Sequence, residues 1–355
     1  MKSKKTLYLP IEISVRELDS KVLLAIKALD KNFKVVLGRK GPLIDFLKHQ
    51  PPGIFLSIWG AHKNFKETYE KVSSYGHKIA VMDEEGLITL SFQNYRRLKL
   101  DPETLDTIDI FFTWGPEQNK KFIASRSEHS KKFISVGNPR VDLLHPNFNY
   151  LYKKDCKEIE SKYGDYFLIV SSFGFTNHYD GHKNYLNKLK SSGVIRNSEE
   201  EDIYNNYLYF QTKNFEDYIN ISKKLSQKYK NINFIYRKHP AEDLLKLKKI
   251  FFNHKNIILN DEKTITPWIL SSKGVIHNYC TTGVECQILN KVSLAYRPFV
   301  DNDIESDVPY LCSKEIFKEE SLLEEIPKVM EYESIKLKDT SILNNYVDDF
   351  KLFAS

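Results

Sequence analysis

Asp83, Glu84 and Glu85 stand in a row before Gly86, directly after the apolar residues 79–82. Carboxylates crowded at a strand end repel one another, so one of them can hold its proton more tightly than usual and serve as a general base near neutral pH. The glycine frees the backbone to turn. The same acids would suit a helix N-terminus, where they complement the dipole. Much later in the chain, Arg237-Lys238-His239-Pro240 follows the β-rich residues 234–236 and precedes Ala241-Glu242-Asp243. Proline at a first helical position leaves neighbouring amides free, and the positive helix end together with His239 can hold an anion. A structural histidine is the other reading.

Two further segments carry hydroxyls at strand ends. Thr281-Thr282-Gly283 opens a helix after a strand at 274–277. An N-cap role accounts for one threonine, and a second hydroxyl with free amides is what a phosphate needs. Ser171-Ser172-Phe173-Gly174, with Asn177 shortly after, either adds hydroxyl and amide contacts or forms an ordinary turn. Near the start, Glu12, Arg16, Glu17 and Asp19 lie at or just after the end of the first strand, where they face a cleft or cap the next helix.

These residues need a scaffold that lines up strand ends. Residues 6–13, 34–37, 53–57, 78–82, 108–113 and 133–136 read as strands, with helical spacing at 19–29, 42–48, 62–75 and 116–124, which predicts a doubly wound parallel sheet. Gly137-Asn138-Pro139-Arg140 ends that pattern, and residues 145–149 read as turn and linker. The alternation then restarts: strands at 166–171, 232–236, 257–259, 274–277 and 292–296, helices at 205–228, 241–251, 267–271 and 283–289. The polar stretch 174–198 reads as a lid or disordered insert. The expected organisation is an α/β chain of two Rossmann-like domains, 1–147 and 148–318. A helical tail, 319–355, is expected to pack back on the first.

At 355 residues the chain is long enough for two cores. The net charge of +6 is spread among interspersed lysines and acids, which argues for a solvated surface and against a nucleic-acid footprint, leaving at most a weak attraction to anionic lipid. Four cysteines, Cys156, Cys280, Cys286 and Cys312, lack zinc spacing and read as reduced thiols. Asp301-Asn302-Asp303 reads as surface, so no metal site is expected. No apolar stretch has signal-peptide or membrane-span length, which predicts a cytoplasmic protein with, at most, peripheral contact with the inner-membrane face. Phosphate loops of the G-x-x-x-x-G-K-[ST] and G-x-G-x-x-G types are absent.

Taken in order, the acidic-acidic-glycine motif, the later His-Pro and the following threonine pair resemble the GT-B glycosyltransferases that use CMP-activated sugars, namely bacterial sialyltransferases and Kdo transferases. Leu9-Pro10-Ile11-Glu12 with Arg16–Lys21, then Asp83–Gly86, Gly137-Asn138-Pro139-Arg140-Val141-Asp142 and His239–Asp243, resemble more closely the bacterial surface carbohydrate biosynthesis protein family, over most of the chain to about Phe299. The resemblance implies a GT-B fold whose two domains face each other across a cleft. It implies Glu84 or Glu85 as the base that takes the acceptor hydroxyl proton, with Glu84 favoured. It implies His239 as a ligand of the CMP phosphate, with Pro240, Arg237 and Lys238 beside it, and Thr281, Thr282 and Gly283 as its partners. That family shows Thr-Asn-Phe where this chain has Ser171-Ser172-Phe173, which keeps a hydroxyl and loses an amide. Asp142 is the candidate for a second carboxylate. Glu12, Arg16, Glu17, Asn138 and Arg140 line the acceptor side. The implied reaction transfers a nonulosonic or Kdo-type acid from its CMP donor to a glycan or lipid-linked glycan without cofactor or metal. The competing expectations are a UDP-sugar transferase or epimerase of the same fold, and a non-catalytic scaffold.

Overall fold

The computed structural model describes residues 4–88, 92–301, 303–305 and 308–331. The chain divides into two α/β units, with the boundary between Phe148 and Asn149.

In the first unit six strands form one all-parallel sheet: β1 (Thr6–Ile11), β2 (Lys34–Arg39), β3 (Ile54–Ser57), β4 (Lys78–Met82), β5 (Ile110–Thr113) and β6 (Phe133–Ser135). Their order is β2-β1-β3-β4-β5-β6. The central β4 is apolar and buried on both faces after its first residue, as expected of a parallel strand covered by helices on each side. Tyr8, Phe55, Tyr69, Val81, Phe111 and Phe122 build the main core. The strand order reverses between β1 and β3, and ligands of such sheets collect beyond the carboxyl ends at that point.

The second unit repeats the plan with β7 (Tyr166–Val170), β8 (Asn233–Arg237), β9 (Ile257–Leu259), β10 (Gly274–His277), β11 (Ser293–Tyr296) and β12 (Lys314–Ile316), ordered β12-β11-β10-β7-β8-β9. Here the reversal lies between β7 and β10. Val170 is in register with Arg237 on one side and His277 on the other, so β8, β7 and β10 end at the same level. The long helix Ser198–Lys228 is capped by Asn197, whose side chain accepts from the Glu200 amide at 2.8 Å. Its Tyr218 hydroxyl lies 2.8 Å from the Val170 carbonyl and 2.9 Å from that of Ile276, at the split between the two strands.

Several expectations need correction. The stretch 174–198 contains the helix His182–Ser191, and Tyr185, Leu186 and Leu189 pack with Phe175, Ile195 and Tyr204 into an apolar cluster. Its aromatic and aliphatic residues are spaced among polar ones, so local composition hides the packing. Residues read as linker lead straight into the helix Asn149–Tyr163. The first helix of the tail, Glu319–Glu331, does not cross to the first unit: Leu322, Ile326 and Val329 sit in the second unit's core. The rest of the expected tail, 332–355, lies outside the described residues. Among the described residues no helix is long and apolar enough to cross a membrane.

Candidate functional site

In the first unit, Asp83–Gly86 leaves the end of β4 as a turn, not as a helix start. The three acids have different surroundings. Asp83 is buried, accepting from the Tyr95 hydroxyl at 2.8 Å and Lys99 Nζ at 3.2 Å, while its carbonyl accepts from Trp114 Nε1 at 2.7 Å. Glu84 pairs at 2.6 Å with Lys21, their side chains only 7% and 1% exposed. Glu85 is 67% exposed and pairs at 2.8 Å with Arg16.

Arg140 and Asn138, from the short helix Pro139–Asp142 and its cap, come to the same place. Arg140 Nη1 donates to the Glu84 carbonyl at 2.9 Å, and the Asn138 side chain accepts from the Arg140 amide at 2.9 Å. Asp142, on that helix, has its pKa pushed up to about 6 by burial. Glu17 turns back to accept from the amides of Glu12 and Ile13, at 2.8 and 3.0 Å, so it caps the helix Ser14–Asp30 in which it lies. Burial and the neighbouring Glu84 raise its pKa, against the pull of those amides and Lys21. Glu12 accepts from Trp59 Nε1 at 2.6 Å across the β1–β3 reversal and pairs with Lys40 at 3.3 Å. Sequence reasoning missed Trp59 and gave no role to Lys21, quoted only as the end of the Arg16–Lys21 stretch. Trp59 had a signal, its place just beyond an apolar strand; Lys21 looked like any helical lysine.

In the second unit, the loops after β7, β8 and β10 are neighbours and together span about 10 Å. Their organiser is Glu242, which is buried. One carboxylate oxygen accepts from the Ser171 hydroxyl at 2.8 Å and the other from the His239 amide at 2.5 Å, while Ser171 Oγ also accepts from the Tyr236 hydroxyl at 3.1 Å. Burial lifts the Glu242 pKa to about 7, against those hydrogen bonds, Asn177 and Lys238. His239 Nδ1 accepts from the Ala241 amide at 3.1 Å. That fixes the neutral ring as the Nε2–H tautomer, a donor. A Cβ on Gly174 would lie 2.4 Å from His239 Nδ1, so only glycine lets the β7 loop pass this ring.

The anion site read from Pro240 as a helix start is not there. The helix begins four residues later, at Leu244, and Asp243 caps it by accepting from the amides of Leu245 and Lys246. The amides of Glu242 and Asp243 are taken by the carbonyls of His239 and Asn177, and Pro240 is an exposed turn residue. Arg237 donates to the carbonyls of Glu262 and Lys263, and Lys238 pairs with Asp261 at 3.1 Å, so both brace the loop.

The helix after β10, Thr282–Ile288, is not capped by a threonine side chain. Cys280 stands just before it, its carbonyl accepting from the Gly283 amide at 3.4 Å, and burial pushes its thiol pKa up to about 11. Thr282 is buried, while Thr281 stays half-buried with no capping bond. A Cβ on Gly283 would lie 2.8 Å from the Pro309 carbonyl, which makes that glycine a packing requirement. Among the described residues the buried Ser172 Oγ has no hydrogen-bond partner. Of the expected phosphate ligands, Ser171, Arg237 and Lys238 hold other groups of the fold and Thr282 is buried, while Ser172, His239 and Thr281 lie on the loops that follow β7, β8 and β10. Glu242 was missed as the organiser, though it stands inside the quoted His239–Asp243 motif. Among the described residues no three His, Cys, Asp or Glu side chains gather as a metal site requires.

No family model matches the sequence, and no curated protein matches it. The fold does have solved counterparts. The chain resembles the UDP-GlcNAc 2-epimerase of Methanocaldococcus jannaschii in complex with UDP-GlcNAc and UDP, with a TM-score of 0.58 at 13% identity over 99% of this chain and 97% of that one. It also resembles the UDP-GlcNAc 2-epimerase of Neisseria meningitidis bound to UDP-GlcNAc, with a TM-score of 0.53 at 12% identity over 93% and 92%. The wall teichoic acid polymerase TagF, in a structure with CDPG, has a TM-score of 0.53 at 11% identity over 93% and 80%. The architecture is GT-B-like, with two α/β units each built on a parallel sheet.

Proposed function

We propose that this chain is a nucleotide-sugar-dependent glycosyltransferase of surface glycan assembly. The observation that carries the reading is the second sheet: its order reverses between β7 and β10, and Ser172, His239 and Thr281 stand on the loops that leave β7, β8 and β10 there. A donor hydrogen at His239 Nε2 and two hydroxyls suit the oxygens of a phosphate leaving group. Neighbours of the same fold with UDP-GlcNAc, UDP or CDPG support a nucleotide-sugar donor.

The resemblance seen in the sequence favours a CMP-activated keto-sugar acid as donor, transferred without metal or cofactor to a glycan or lipid-linked glycan. A UDP-sugar reading is second, and the UDP-bound neighbours favour it. In either case the carboxylate that takes the acceptor proton must be reachable. Glu84 is sealed against Lys21, whereas Glu85 faces solvent with Arg16 to orient it, so the role passes to Glu85. Asp142, whose carboxyl stays partly protonated near neutrality, is the second carboxylate of this neighbourhood.

Release of free nucleotide from CMP-keto-sugar and UDP-sugar donors tests the assignment. Glu85→Gln is expected to lower turnover about 10²–10⁴-fold while leaving the melting temperature unchanged. Glu84→Gln is expected to lower the melting temperature. Full turnover in Glu85→Gln would remove the base from this motif.

A further inference from the structure

The helix Ser14–Asp30 buries one face against the first sheet and leaves another in water that is unusually apolar. Val15, Leu18, Val22, Ile26 and Leu29 are 41–56% exposed. Their spacing of three, four, four and three residues puts all five on one side of the helix, where a globular protein normally carries polar groups. Within this helix the exposed charges beside the stripe are Asp19 and Asp30.

Lysines gather where the stripe ends. Lys31 closes the helix, and Lys34 begins β2 with its amide bonded at 2.8 Å to the carbonyl of Lys5, which brings Lys4 and Lys5 alongside. All four are exposed, and among the described residues none of them is in an ion pair. Lysines held without partners beside acids such as Asp30 keep their charge available to an external anion.

We propose that this face docks on an anionic phospholipid surface, the apolar stripe entering the headgroup boundary and the four lysines meeting lipid phosphates. An apolar helix face bordered by basic residues is the arrangement that binds such a surface, through buried area plus attraction to anionic headgroups. The alternative occupant, a second copy of the chain, is less well served. Five half-exposed aliphatic side chains offer on the order of 400 Å², about half of what each partner contributes to a standard stable interface. The lysines would also face their own counterparts or nothing. The inference does not depend on which nucleotide the second unit binds.

Co-sedimentation of the full chain with vesicles tests it. Wild type is expected to sediment with mixed phosphatidylcholine–phosphatidylglycerol vesicles, less with pure phosphatidylcholine, and less again at high salt. Leu18→Ser/Val22→Ser/Ile26→Ser should abolish sedimentation. Lys31→Glu/Lys34→Glu, confined to exposed side chains and so safe for folding, should weaken it by roughly an order of magnitude or more. Wild type that stays in the supernatant with the mixed vesicles, or sedimentation indifferent to both variants, overturns the proposal. So does a concentration-dependent dimer by light scattering that the serine variant abolishes, since it assigns the face to a second copy.

Discussion

Lys21→Met should be among the most destabilising single substitutions in the first unit, costing about 3–5 kcal/mol. The cost comes from what is left behind. Lys21 Nζ lies 2.6 Å from Glu84, both buried, with the Glu17 carboxylate close enough to feel them. Methionine fills most of the volume but strands a buried carboxylate, and breaking one side of such a pair is far more costly than replacing both partners by uncharged ones. One Glu84 oxygen already lacks a hydrogen-bond partner among the described residues, so no second donor takes over. The double variant Lys21→Met/Glu84→Gln should therefore recover most of the loss. Thermal unfolding of the four species of the cycle checks this, and equal losses in the single and double variants would show that Lys21 acts through its packing alone.

The second large effect is a pH dependence centred on Glu242. Burial raises its pKa to about 7 from an ordinary value of 4.5. The folded state thus binds the proton more tightly than the unfolded one, and the stability from this group is fully present below the unfolded value and lost as pH rises through about 7. Asp142, raised to about 6, adds a change of the same sign, while His277, lowered by burial to about 4, acts oppositely as pH falls from its ordinary value. Glu242→Gln isolates the first contribution, because an amide can still accept from the His239 amide and meet Ser171 without ionising. The variant is expected to exceed wild type in stability at alkaline pH, and the gap should shrink by about 2 kcal/mol on acidification through neutrality. A gap that stays constant across this range would mean that Glu242 does not titrate there.

The sequence displayed the strands clearly and their partners poorly. Runs such as 79–82 and 166–170 are apolar throughout, and buried parallel strands leave that mark. The motif residues at their ends were visible for the same reason, since a strand end is a local event. What each motif residue touches was not visible. Lys21 meets Glu84 across 63 positions, and Ser171 meets Glu242 across 71, and neither pairing has a local signature. Thus Glu84 looked like the more natural base until its partner was seen. The threonine pair looked like a phosphate cradle until Thr282 was found buried and the Gly283 amide bonded to the Cys280 carbonyl. Pro240 pointed to a helix start because proline favours that position, yet Asp243 caps a helix that begins later. The insert at 174–198 deceived by composition: its polar residues are numerous, but the spaced Phe175, Tyr185 and Leu189 are the ones that pack.

We assign the second unit a nucleotide site at the β7–β10 reversal, with His239 as its phosphate donor. Its most direct test is calorimetric titration of wild type and His239→Ala with CMP, CDP and UDP. A ligand that binds only the folded chain also raises its melting temperature, which gives an independent readout on the same samples. One of these nucleotides, CMP first, is expected to bind wild type, and the histidine variant is expected to lose this binding while keeping its unliganded melting temperature. Binding by none of them, or binding that His239→Ala leaves intact, would contradict it.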